Sequence, residues 1–89
     1  MLRESTIERN VCDIAKRHKW LTYKFISPAT RGVPDRIFIK AGRVVFIEFK
    51  APGKKLTKLQ AYTIGKMQAE GAEVYVCDSV ESACAALSV

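Results

Sequence analysis

No apolar run in the 89-residue chain approaches the roughly 20 residues of a membrane span, and Met1 to Asn10 is too charged to read as a secretory leader. The expectation is a cytoplasmic protein with no membrane partner. Cysteine is scarce: Cys12, Cys77 and Cys84 are odd in number and form no metal-type pair. They argue against a disulfide framework or a zinc site and for reduced thiols in the core or at the surface. The lone histidine, His18, falls near the end of a helical pattern, where a packed or capping residue competes with a ligand. Internal repeats, low-complexity tracts and linkers are absent too. Residues 1–89 therefore read as a single small domain with one core and little stability to spare, which favours a homo-oligomer.

Acid is also in short supply, with nine Asp and Glu against 15 Lys and Arg. The distribution matters more than the net +6. Every base lies in residues 1–66 beside only five acids, a net +10, whereas residues 67–89 hold four acids and no base, a net −4. A basic face on a small domain points to a polyanion, most often nucleic acid, although a merely solvated basic surface has the same composition.

Ser5 to Lys19 has helical periodicity, with Ile7, Val11, Ile14, Ala15 and His18 on one stripe. Ser5 and Glu8 have the spacing of a capping box, yet Glu8 also borders the apolar stripe and could reach over the core edge toward a sheet. Trp20 to Phe25 alternates Leu21, Tyr23 and Phe25 against Thr22 and Lys24, as a strand with the first set buried. Ile26 to Pro34 follows as a loop with Arg31, Gly32 and Pro34, long enough to be functional or simply a turn. Beyond Lys50, Ala51 Pro52 Gly53 breaks the chain before the cations Lys54, Lys55 and Lys58. Thr57 and Gln60 form a second capping-box pattern, opening a helix to about Glu70 with Leu59, Tyr62 or Thr63, and Lys66 or Met67 as its stripe. Gln60 is either a cap partner or a polar group facing a site. Ala72 to Cys77 reads as a strand with Val74 and Val76 opposed to Tyr75 and Cys77. Asp78 or Ser79 then caps a short helix through Ala86, whose Val80, Ala83, Cys84 and Leu87 pack.

The densest signal is Gly32 to Lys50. Arg36 to Lys40 and Arg43 to Lys50 are β-branched and aromatic, joined at Ala41 and Gly42, and they carry Asp35 and Glu48 where apolar residues would suit a buried sheet. A turn symmetric about Ala41 and Gly42 sets Ile39 opposite Val44 and Asp35 opposite Glu48, with directly opposed Cβ atoms about 4.5–5.5 Å apart. A left-handed bulge at Gly42 would shift that pairing by one residue. Alternation puts Lys50 on the face of Glu48 and Phe49 on the other. Two carboxylates so placed repel unless a cation intervenes, and carboxylate oxygens suit Mg²⁺ or Mn²⁺, with the Phe49 carbonyl a plausible further ligand. Such an ion activates water and stabilises a phosphodiester leaving oxygen, while Lys50 orients the attacking water or offsets charge. A cross-strand ion-pair ladder would use the same residues without chemistry.

Taken together, Glu8, Gly32 Val33 Pro34 Asp35, Glu48 Phe49 Lys50 and Gln60 resemble the VRR-NUC family of the PD-(D/E)xK nuclease superfamily, over roughly Glu4 to Asp78. The resemblance implies an α/β restriction-endonuclease-like core of order αβββαβ plus a short C-terminal helix, a four-stranded mixed sheet flanked by helices. It implies Asp35 and Glu48 as metal ligands, Lys50 as the catalytic lysine, Glu8 as a further member of the acidic cluster, and Gln60 as a supporting polar residue. Arg36 departs from the apolar residue expected after the aspartate; it contacts DNA or marks an edge strand. Arg31, Lys54, Lys55 and Lys58 are further candidates for DNA contact. Stand-alone members resemble homodimeric phage enzymes acting on branched DNA such as Holliday junctions. The alternatives are a non-catalytic basic nucleic-acid-binding module on the same fold and, ranked lower, an RNA or tRNA endonuclease.

Overall fold

The computed structural model describes residues 2–89. Its elements run α1 (Glu4–Arg17), β1 (Leu21–Lys24), β2 (Arg36–Lys40), β3 (Arg43–Phe49), α2 (Lys58–Ala69), β4 (Glu73–Cys77) and α3 (Val80–Leu87). This is the order expected from the sequence. The strands form one sheet in the order β1-β2-β3-β4. The pairs β1–β2 and β2–β3 are antiparallel, and β4 adds parallel to β3, so the sheet is mixed.

The β2–β3 hairpin turns at Ala41 and Gly42, which both have positive φ, 51° and 81°. That is the signature of a two-residue type I′ turn, whose twist matches the flanking strands. Lys40 pairs with Arg43 and Arg36 with Ile47, so the symmetric register holds and no bulge shifts it.

Side-chain alternation divides the sheet. Phe38, Val45, Ile47, Phe49 and Cys77 bury one face under α1 (Ile7, Val11, Ala15) and α3 (Ala83, Leu87), with Trp20 closing the end. The opposite face carries Glu48, and α2 crosses it: Gln60 reaches Glu48 and Gln68 donates to the Val74 carbonyl. Ile64 and Val74 are buried there.

This division corrects four expectations. Leu21 and Tyr23 are not the buried set of β1; they are 56% and 55% exposed, because β1 is an edge strand and α1 covers the Thr22–Lys24 side instead. Leu59 and Tyr62 are exposed, and α2 buries Ile64, because its inner face is turned to bring Gln60 over Glu48. In β4, Val76 is exposed while Val74 and Cys77 are buried on opposite faces. The Ser5–Glu8 capping box does not form: α1 begins one residue earlier behind Arg3, with no side-chain cap, and Glu8 bonds to Arg36 and Lys24. His18 is the exposed C-cap of α1, donating its N–H to the Ile14 and Ala15 carbonyls.

Candidate active site

Asp35 sits just before β2, and Glu48 near the end of β3, at one end of the sheet. The extended register brings them together. Asp35 Oδ2 accepts a hydrogen bond from the Phe49 N–H at 3.0 Å, while its own carbonyl accepts from Phe25 N–H at 2.9 Å. Asp35 is thus tied to both neighbouring strands.

Gly32 explains why the loop before Asp35 follows this path. Its φ is +87°, and an added Cβ would stand 2.8 Å from both the Leu59 carbonyl oxygen and Thr63 Oγ1. Thr63 Oγ1 also donates to the Arg31 carbonyl at 2.9 Å. The loop therefore packs directly on the backbone of α2, which only glycine permits, and Pro34 beside it is fully buried. One docking contact positions Asp35 and Gln60 together.

Gln60 fulfils both readings drawn from the sequence. Its Oε1 accepts from the Thr57 N–H at 3.1 Å, completing the capping box with the Thr57 hydroxyl, and its Nε2 donates to Glu48 Oε2 at 3.0 Å. An amide has separate donor and acceptor ends, so cap and site do not compete for it. Lys50 Nζ lies 3.4 Å from the same Glu48 oxygen, on the face that alternation predicts.

Glu48 is 2% exposed, and its other oxygen, Oε1, is buried without a hydrogen-bond partner. Burial raises its pKa, and the nearby Asp35 charge raises it further. Lys50 only partly offsets them, leaving it at about 7. Burial also raises Asp35, against the lowering effect of the Phe49 N–H bond. Two carboxyls held in this state, with one oxygen orphaned, form a site short of positive charge.

Glu8 stands apart from that pair. Its Oε2 is 2.7 Å from Arg36 Nε and 3.0 Å from Lys24 Nζ. Burial opposes ionisation of Glu8, but the bonds to Arg36 and Lys24 prevail and hold its pKa below the usual range. Its charge still acts on Asp35. Among the described residues, no three His, Cys, Asp or Glu side chains gather as a metal-holding group. Of the cations proposed for DNA, Arg31, Lys54, Lys55 and Lys58 are exposed, whereas Arg36 is largely covered and committed to Glu8. Lys24 escaped the sequence reading. Its only signal is the alternation that puts it on the side of Thr22, and its partners depend on a β1 register, Lys24 against Arg36, that the long loop conceals.

A family model described as the VRR-NUC domain matches residues 4–81. The chain belongs to the VRR-NUC family. It is accordingly a nuclease. A protein named "Putative nuclease p44", from Acyrthosiphon pisum secondary endosymbiont phage 1, is 39% identical over 80 residues, covering 89% of this chain and 86% of the phage protein. A solved structure described as a VRR_NUC domain superposes with a TM-score of 0.87 at 19% identity, covering 99% of this chain and 97% of the other. At that identity the superposition speaks to the fold, and it agrees with the α/β nuclease core.

Proposed function

We propose that this VRR-NUC protein is a divalent-metal-dependent DNA endonuclease, selective for branched DNA such as Holliday junctions and active as a homodimer. The observation that carries the reading is Glu48. A carboxyl that is buried, raised toward neutrality and missing a partner for one oxygen lowers the stability of the metal-free protein, which is expected of a ligand and not of a structural ion pair.

The donor set suits Mg²⁺ or Mn²⁺. Asp35, Glu48 and the Phe49 carbonyl offer oxygen only, and few protein ligands leave room for water and phosphate. When bound, the ion supplies Lewis-acid charge beside the phosphodiester. The remaining roles belong to the chain itself. Gln60 and Lys50 both hold Glu48 Oε2 and so direct Oε1 away from them. Lys50 brings an ammonium to the same spot, where it orients the attacking water and offsets charge gathering on the phosphate oxygens. Glu8 adds negative charge near Asp35 without entering the pair.

The dimer is supported by the sheet face that α2 leaves open. Leu21, Tyr23 and Val44 are exposed there, beside the half-buried Ile37 and Ile39. An apolar strip of this kind on a small domain suits a second copy. Two sites related by a two-fold axis would cut paired strands of a junction.

The test uses linear, flap and four-way DNA of matched length with Mg²⁺, Mn²⁺ or chelator. Cutting should require the ion and favour the branched substrates. Asp35→Ala, Glu48→Ala and Lys50→Ala should each lower its rate by about 10²–10³-fold, the scale of losing a preorganised charge-stabilising group. Salt-dependent binding with no ion-dependent cutting on any substrate would instead identify a binding module, and a Lys50→Ala rate equal to wild type would remove the role given to Lys50.

A further inference from the structure

Between α1 and the β1 edge lies a cleft of about 300 Å³. Arg9, Lys16, Lys24 and Arg36 line it, against the acids Glu8 and Asp13. Its inner end adjoins the candidate site: Arg36 directly follows Asp35 and pairs with Lys24, and Phe25, next to Lys24, donates its N–H to the Asp35 carbonyl at 2.9 Å.

Glu8 is neutralised from two sides, and with Asp13 the two acids face four cations, so the lining keeps a net positive charge that attracts an anion. The two cations on Glu8 are not equivalent. The Arg36 side chain is 20% exposed and grips Glu8 through Nε at 2.7 Å. The Lys24 side chain is 62% exposed, extends from an edge strand and touches Glu8 at 3.0 Å. Glu8 is buried, but the Lys24 ammonium stays largely in water and gives up little on leaving it, so Lys24 can exchange partners while Arg36 keeps Glu8 satisfied. Farther out, Arg9 and Lys16 are two helical turns apart on one flank of α1, roughly 10 Å at ~1.5 Å per residue. That is about three nucleotide steps of a strand rising ~3.4 Å each.

We infer that this cleft is the track of the DNA phosphodiester backbone leading away from the scissile group, with Lys24 transferring from Glu8 to a phosphate and Arg9 and Lys16 holding the next ones. The inference rests on the nuclease reading only for where the scissile group lies. The ligand is the backbone, not the bases: Lys16 and Lys24 are point charges, the Arg36 fork is already held by Glu8, and no Asn or Gln lines the cleft to pair with a base edge.

The experiment measures binding of the full chain to a labelled four-way junction and a matched linear duplex, in chelator so that nothing is cut, from about 50 to about 200 mM salt. Wild type is compared with Lys24→Ala, Arg9→Ala/Lys16→Ala, Lys24→Arg, and Lys66→Ala on α2 as control. Each phosphate that the protein no longer neutralises should reduce the slope of log K against log salt by ~0.9. The fall in affinity over that salt range should therefore shrink about threefold for Lys24→Ala and about tenfold for the double variant. Lys24→Arg should restore the slope, and Lys66→Ala should leave it unchanged. Wild-type slopes in both alanine variants would overturn the track. Ion-dependent cutting by the same wild-type preparation is scored separately. Cutting with unchanged slopes refutes the track alone, and reduced slopes without cutting refute the nuclease mechanism alone.

Discussion

Replacing Glu48 with glutamine should stabilise the metal-free protein while destroying its activity. Glu48 is 2% exposed and its pKa is raised from the ordinary 4.5 to about 7, by burial first and then by the charge of Asp35. A raised folded-state value means that the native protein holds this proton more tightly than the unfolded chain does. Between the two values the folded state therefore carries more protons, and stability falls as pH rises from about 4.5 through about 7. At ~1.4 kcal/mol per tenfold change in proton affinity, full ionisation costs on the order of 3 kcal/mol at pH 8.

Glutamine keeps the shape and can still accept from Gln60 and Lys50, but it carries no charge to desolvate. The gain should approach 2–3 kcal/mol, or on the order of 10 °C in Tm for a domain of this size. Urea and thermal unfolding in chelator from pH 4 to 8 provide the assay. The wild-type curve should decline across that range while the variant's stays flatter, with the two converging near pH 4. A Glu48→Gln protein that is less stable than wild type at pH 8 would refute the reasoning, because it would make Glu48 a stabilising structural acid.

Gly32→Ala should cost about 2–3 kcal/mol of stability, because the residue has positive φ and its new Cβ would press on the Leu59 carbonyl at 2.8 Å. Gly53→Ala, also at positive φ but facing open space, should cost about 1 kcal/mol; equal losses by thermal unfolding would remove the docking role of Gly32. Tyr23→Glu places a charge on the open sheet face and should convert a dimer to a monomer in sedimentation or light scattering, with little change in the monomer's fold. An unchanged oligomeric state would locate the interface elsewhere.

The β2–β3 hairpin was readable from the chain because its determinants are local. Gly42 readily takes the positive φ of a two-residue turn, Ala41 is held in the same region beside it, and once that turn is given the register and shared faces follow by counting. The Thr57–Gln60 cap was readable for the same reason, since its partners lie three residues apart. Motif spacing likewise disclosed the family. Glu8 shows where local reasoning ends. Its capping spacing with Ser5 is real in the sequence, but Arg36, 28 residues away, and Lys24 outcompete a helix-end bond.

The faces of β1 and α2 were settled in three dimensions. Alternation identifies two sides of a strand, but only packing selects the one that is covered, and here α1 covers the side bearing Lys24. The sequence alone determined the order of elements and the residues able to form a site, and narrowed the hairpin register to two choices, of which the structure takes the symmetric one. Tertiary structure determined what those residues do to one another: Gly32 docks on α2, Gln60 bridges the cap to Glu48, and burial leaves Glu48 Oε1 without a partner. Desolvation and charge coupling act through space between distant segments, so no spacing along the chain encodes them directly.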